Sequence, residues 1–223
     1  MQKPKEIVYR LLELSQKEKR KYLVKILGRK FFVYPGVFSP KYFNDTELFA
    51  KYFPYKEGGA MLEIGTGVGV IAIIAVLERK VNRVIATDIN YIAIKNAKEN
   101  LRAYELDKRI KVIKSNLFEK FKNKKFDLIF FNAPFCFTKK KKLTVLEKAL
   151  FDYNYETLNK FIRDCKKHVK ENGHVFLGFS PFFGNKKKLH KLANYHKREI
   201  KLIKQIKTKR KGRRVILEIL EVI

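Results

Sequence analysis

The stretch MLEIGTGVGVIAIIAVLE, residues 61–78, decides the fold. It opens with apolar residues suited to a buried strand and breaks at glycines 65, 67 and 69. It then resumes as a run, Val70 to Glu78, that is apolar almost all round. A helix without a polar face belongs in the interior, so the pattern predicts strand, tight turn, buried helix. Glycines at alternate positions let the backbone turn sharply and approach a ligand that a Cβ would obstruct. A dinucleotide turn, G-x-G-x-x-G, would need glycine at 70, where Val70 stands, and this argues against a pyrophosphate cradle. On these residues alone a plain tight turn and a ligand-binding turn both stay open.

Working outward, strand and helix keep alternating. RVIATD (83–88) reads as the next strand and YIAIKNAKENLRAY (91–104) as a helix. IKVIKS (110–115) and FDLIFF (126–131) are two more strands. A helical region over about 158–171 ends at the Asn172-Gly173 stop, and HVFLGF (174–179) is a fifth strand. A basic helix covers about 187–195. EIKLIKQI (199–206) and RVILEILEV (214–222) flank the basic loop KTKRKGRR and must pair antiparallel. Upstream, residues 5–27 read as one or two helices ended by Gly28. KFFVYPGVF (30–38) is extended around a Pro35-Gly36 turn, and DTELFAKYF (45–53) is a short helix capped by Asn44 or Asp45. Near-continuous apolar strands alternating with helices predict an α/β fold with a mostly parallel sheet covered on both faces. The expected division is a helical and extended segment over 1–57 and the α/β domain over 58–223.

Composition narrows the partners. In 223 residues, 51 Lys and Arg against 22 Asp and Glu give a formal charge of +29, which favours polyanions, nucleic acid first. Hydrophobic residues at 46% argue against disorder. The longest apolar run, Val70 to Leu77, is too short to span a bilayer, and the charged N-terminus lacks a signal peptide's apolar core. Cys136 and Cys165 stand apart, as do the four histidines, so the expectation is a reduced, cytoplasmic setting without disulfide or metal site.

The chemistry-bearing residues converge. Ligands of open α/β sheets bind beyond the carboxyl ends of the strands. Glu63, Gly65, Gly67, Asp88, Asn116 and Asn132 all fall at such ends or just past them. LEIGTGVGV, TDIN and SNLF, occurring in that order, resemble motifs of the class I S-adenosylmethionine-dependent methyltransferases. YPGVFSPKYFNDTELF followed by NAPF resembles, more narrowly, the methyltransferase small-domain group. That group includes ribosomal RNA guanine-N2 and release-factor glutamine methyltransferases. The resemblance covers about residues 31–223. It implies a Rossmann-like seven-stranded sheet with the last strand inserted antiparallel, and S-adenosylmethionine as cofactor. It places Glu63, Gly65, Thr66, Gly67 and Gly69 in the glycine turn and Asp88 with Ile89 at the ribose. Asn116 with Leu117 would lie at the adenine, and Asn132 at the cofactor's reactive end.

By the same resemblance, Asn132-Ala133-Pro134-Phe135 would be the catalytic clamp. An amide or exocyclic amine is a poor nucleophile, because its lone pair is delocalised. Two acceptors, the Asn132 side chain and the Ala133 carbonyl, could hold its N–H bonds and aim the nitrogen, with the Phe135 ring stacked on the substrate. Alanine at 133, where the family usually has proline, keeps the carbonyl. Asn116, where most relatives carry aspartate, accepts a hydrogen bond as a neutral group.

Lys139, Lys140, Lys141 and Lys142 follow the clamp, and Lys186, Lys187 and Lys188 follow the fifth strand. They form a candidate phosphate track, with Tyr34, Phe38 and Phe137 as candidate stacking surfaces. The expected function is therefore N-methylation of a base amine in RNA, ribosomal RNA being the favoured context. The alternatives are a protein glutamine methyltransferase, which the DTEL at 45–48 recommends, and an RNA-binding module that no longer catalyses.

Overall fold

The computed structural model describes residues 4–79, 81–210 and 212–223. The chain opens with helix α1 (Pro4–Gln16) and the hairpin β1 (Tyr22–Ile26) and β2 (Arg29–Val33). Helix α2 (Asp45–Tyr52) leads into the alternating part: β3 (Ala60–Ile64), α3 (Val70–Leu77), β4 (Arg83–Asp88), α4 (Tyr91–Ala103), β5 (Ile110–Lys114) and β6 (Phe126–Asn132). After β6 come the short strands β7 (Cys136–Thr138) and β8 (Phe151–Tyr153), then α5 (Glu156–Asp164) and β9 (Val169–Phe179). Helix α6 (Lys186–Tyr195) and the hairpin β10 (Ile200–Arg210) and β11 (Arg213–Val222) finish the chain.

Seven strands form the central sheet in the order β10-β11-β9-β6-β3-β4-β5, and β7 and β8 pair apart from it. Strands β5, β4, β3, β6 and β9 run parallel, whereas β11 is inserted antiparallel beside β9 and β10 closes the edge. This is the seven-stranded, mostly parallel sheet that the sequence predicts. Met61, Leu62, Glu63 and Ile64 are all buried although they alternate between the faces of β3, so both faces are covered. β4 lies on one side of β3 and β6 on the other. The connections leaving β3 and β6 therefore diverge, and a crevice opens between them at the carboxyl edge.

Four local expectations need correction. Residues 22–26 are a strand, not helix. Tyr22, Leu23, Ile26 and Leu27 suit a helical stripe, but so short a segment fits either period. Leu27 (φ 47°) and Gly28 (φ 81°) make a two-residue hairpin turn that favours the strand. Helix α5 ends at Asp164, followed by a single tight turn to Lys167, well before Asn172-Gly173. Gly173 lies inside β9, where a Cβ would sit 2.9 Å from the Asp127 carbonyl and 3.0 Å from that of Phe126. It is a close approach of two strands, at the place where the pairing jumps from Phe126–Val169 to Leu128–His174. The basic stretch 207–214 is mostly ladder rather than loop, since Lys207 to Arg210 pair with Arg213 to Ile216. Asn44 stands at the N-cap of α2 without capping it by its side chain, whose amide donates instead to Thr208 Oγ1 at 3.1 Å.

Two buried asparagines of α4 bind the N-terminal hairpin to the rest. Asn96 accepts from Tyr34 N and donates to the Phe32 carbonyl. Asn100 accepts from Phe32 N and donates to the carbonyls of Phe32 and Val68, so one side chain ties β2 to the glycine turn. Asn100→Ala removes the partner of the Phe32 amide and of the Val68 carbonyl, each worth about 1 kcal/mol or more, while Asn96 still serves the Phe32 carbonyl. We expect Tm to fall by several degrees, measured by calorimetry, and a change below one degree would show that this tie contributes nothing.

Candidate active site

The end of β3 organises the glycine turn. Glu63 is 2% exposed, and its Oε2 accepts from Thr66 Oγ1 at 2.8 Å and from Ala72 N at 3.1 Å. One carboxyl oxygen therefore fixes both the turn and the first turn of α3. The Thr66 amide donates to the Thr87 carbonyl, and Thr87 Oγ1 donates back to the Glu63 carbonyl, stitching the β3 and β4 ends together. Gly65, Gly67 and Gly69 have φ of 70°, 56° and 87°, the left-handed region that side chains avoid. A Cβ at Gly67 would meet nothing within 4 Å, so its backbone faces open space. One at Gly69 would lie 3.3 Å from Ala97 Cβ, which makes Gly69 a packing glycine between α3 and α4.

Asp88 ends β4. Its two oxygens accept from Gly67 N at 2.9 Å and from Asn90 N at 2.8 Å, so it holds the turn against the neighbouring strand. Asn90 in turn caps α4 through Ile92 N and donates to the Gly36 carbonyl. Burial raises the pKa of both acids. Glu63 reaches about 8, and the Asp88 charge nearby adds to the effect of burial.

A cleft of about 850 Å³ opens at this edge. Nine of the ten residues expected at the cofactor line it, namely Glu63, Gly65, Thr66, Gly67, Asp88, Ile89, Asn116, Leu117 and Asn132. Gly69 does not. Asn116 donates its amide N–H to Glu119 at 2.9 Å, and Leu117 beside it is held at φ 47°. Asn132, the last residue of β6, has a side-chain oxygen shut off from solvent and without a donor. It lies opposite Gly178, where a Cβ would sit 3.2 Å from that oxygen and 2.8 Å from the Phe49 ring.

The rest of the predicted clamp divides. Pro134 lines the cleft, but Ala133 and Phe135 are buried away from it. The Phe135 ring is 4% exposed and packs against Phe179 and Phe183, rather than facing a substrate. Of the candidate stacking rings only Phe38 lines the cleft, stacked on Phe43. Tyr34 lies outside it, and Phe137 packs edge-on against Tyr155 beneath the Lys188 ammonium. The lysines divide as well. Lys141 lines the cleft, Lys140 pairs with Glu147 and Lys186 with Glu218, while Lys139, Lys142 and Lys187 are exposed. Cys136 is wholly buried and its thiol is pushed up to about 12, which removes it as a nucleophile.

Sequence reasoning missed the segment between β7 and β8, whose Leu143, Val145, Leu146 and Ala149 wall the cleft. The available signal was a cluster of apolar residues directly after a lysine run. It also missed Tyr155, whose hydroxyl donates to the Phe135 carbonyl at 2.7 Å and accepts from Asn185 N at 2.6 Å. Tyr155 thereby pins the loop after Asn132. Among the described residues no group of three or more His, Cys, Asp or Glu is placed to hold a metal ion. No described helix is long and apolar enough to cross a membrane.

An open parallel sheet, a left-handed glycine turn and a strand-end acid facing one cleft are the features expected of an S-adenosylmethionine-dependent methyltransferase. The chain belongs to the methyltransferase small domain family, whose model matches residues 28–204. It is similar to the release factor glutamine methyltransferase of Aquifex aeolicus, 31% identical over 196 residues, 78% of this chain and 68% of that one. It also resembles the ribosomal RNA small subunit methyltransferase C of Psychromonas ingrahamii, 30% identical over 140 residues, 62% of this chain and 36% of that one. A methyltransferase structure from Pyrococcus furiosus superposes with a TM-score of 0.63 at 19% identity, covering 97% of this chain and 96% of that one. The chain spans about a quarter of the length of the bifunctional methyltransferase of Rickettsia typhi, which it matches at 38% identity over 135 residues, 54% of this chain.

The cofactor of this methyltransferase is S-adenosylmethionine, and the cleft suits it. The Gly67 backbone faces open space, Asp88 supplies a carboxylate, Asn116 a polar edge, and the volume is that of a small-molecule site. When bound, it supplies an electrophilic methyl group. We expect Asp88→Ala to weaken cofactor binding at least tenfold by calorimetric titration, and an unchanged affinity would refute its role.

The Glu63 shift carries its own expectation. Between its ordinary 4.5 and about 8, the folded protein keeps a proton that the unfolded chain has released, so stability falls as pH rises through that window. Glu63→Gln removes the cost of ionisation and should raise Tm by several degrees at pH 8 but little at pH 5, in melts of the protein alone. Equal shifts at both pH values would mean that Glu63 is ionised in the fold.

Proposed function

We propose that this methyltransferase modifies an exocyclic amine of a base in RNA. The observation behind the chemistry is Asn132 Oδ1, a buried acceptor with no donor at the end of β6. Leaving such a group unsatisfied costs roughly 1–3 kcal/mol; Asn132 lines the cleft, so a turn of its side chain would bring the oxygen to an arriving amine N–H. Holding an N–H bond of a planar amine in this way would orient the nitrogen and aim its lone pair. The nitrogen gains a methyl group and gives up one proton. Neutral acceptors suffice for holding it, and solvent can take the proton.

The choice of RNA rests on charge. Lys114, Lys120, Lys141, Lys148 and Lys160 line the cleft and are exposed, against two exposed acids, Glu119 and Glu156, so the rim carries net positive charge. A mouth of that sign suits a phosphate backbone. A second reading, methylation of a glutamine amide in a protein, is favoured by the likeness to the Aquifex enzyme over 78% of this chain. The same clamp serves both, because both nitrogens are sp² amines.

The test is transfer of radiolabel from S-adenosylmethionine into lysate of cells lacking the gene, followed by ribonuclease or protease. Label released by ribonuclease alone supports the RNA reading, and release by protease alone replaces it with the glutamine reading. In the same assay Asn132→Ala should lower transfer at least a hundredfold with cofactor affinity kept within about threefold. Retained turnover would remove Asn132 from the clamp.

A further inference from the structure

The last hairpin does more than close the sheet. β11 pairs with β9 only as far as Glu218–Phe179, and Phe179 is the carboxyl end of β9. Residues 213–217 of β11 continue past it, paired only with β10 residues 206–210. At about 3.3 Å per residue, this two-stranded arm extends roughly 15 Å beyond the last shared pair. It leaves from the edge that carries Asn132, since β9 runs parallel to β6 and Gly178 faces Asn132. Asn44 fastens its inner face through Thr208, and Thr46, two residues further on, lines the cleft.

The arm's faces differ. Ile206, Val215 and Leu217 are buried, whereas Lys207, Lys209 and Arg214 are exposed. From 206 to 217 there is no acidic residue. Lys209 stands directly opposite Arg214. Like charges facing each other across an antiparallel pair destabilise it, and a two-stranded ribbon is marginal by itself. Among the described residues Lys207, Lys209 and Arg214 form no ion pair that would offset the repulsion. Local rules broken in this way are expected where a ligand supplies the compensation.

We propose that this arm grips the phosphate backbone of the RNA whose base enters the cleft, with Lys207, Lys209 and Arg214 as its contacts. The inference rests on the RNA reading above. It adds that the grip is local to the arm, and not a general effect of the +29 charge. A polyanion would remove the cross-strand repulsion at the same time as it bound.

The experiment compares the full chain with a K207Q/K209Q/R214Q variant. The control, K98Q/K108Q/K111Q, removes the same charge from α4, from the turn that follows it and from the far-edge strand β5. The probe is a fluorescein-labelled 30-nucleotide RNA of mixed sequence, titrated from about 50 to 300 mM KCl. Because three phosphate-binding cations are neutralised, the slope of log affinity against log salt should become shallower by about 2. Affinity at the middle of that range should fall at least tenfold, while the control changes less than threefold. Equal weakening in both variants would overturn the arm while keeping RNA binding. No binding by the unaltered chain would overturn the RNA reading itself, and capture of an acidic polypeptide instead would assign the arm to a protein. Folding is checked independently. Removing the repulsion should leave Tm the same or higher and S-adenosylmethionine affinity unchanged, and a lower Tm would show that these cations stabilise the fold rather than bind.

Discussion

A single buried carboxyl, Glu63, sets the geometry on which the cleft depends. Its Oε2 receives the Thr66 hydroxyl and the Ala72 amide, so the end of β3, the glycine turn and the start of α3 share one anchor. The position of the turn then decides where the Gly67 amide points, and that amide meets Asp88. An amide in place of the acid could accept the same two bonds. The acid instead makes the glycine-turn end of the fold responsive to proton activity, because burial favours its neutral form.

The second constraint runs from the turn back to the N-terminal hairpin. Asn100 touches Val68 on the turn and Phe32 on β2 with one side chain, and Asn96 repeats the contact one helical turn away. Hairpin and turn are therefore positioned by the same face of α4. At the β6 end of the cleft Tyr155 does comparable work, tying the loop after Asn132 to the loop before α6. It holds a left-handed backbone at φ 61°, next to Asn154 at φ 50°, a strain that its buried hydroxyl bonds help to retain.

Much of this was legible in the sequence where local chemistry and tertiary role agree. The 61–78 stretch read correctly because its glycines, its apolar helix and its strand all demand the same arrangement. Asp88 and Asn132 could be placed at one edge because parallel strands bring their carboxyl ends together. The failures have equally physical causes. Residues 22–26 are too short for periodicity to separate helix from strand, and Gly173 signals a stop in isolation but a close strand approach in the fold. Phe135 follows a motif that suggests an exposed ring, yet Phe179 and Phe183, more than forty residues away, offer it an apolar site. The wall from 143 to 149 has no regular period because it packs as a loop ending in one tight turn, so only its apolar cluster after the lysines hints at it.

The open flank of the sheet has a consequence for how the molecules behave in company. Strand β10 has a neighbour on one side only, and it carries Leu202 and Ile203 exposed. An unpaired strand with apolar side chains is a template on which a second chain can add. Lysines at 201, 204, 207 and 209 line this strand, so two copies approaching edge to edge bring matching charges together. The same cations that suit a polyanion thus keep the protein apart from itself. That protection weakens as salt rises and the Debye length contracts, which makes colloidal stability a property the protein shares with its ionic surroundings.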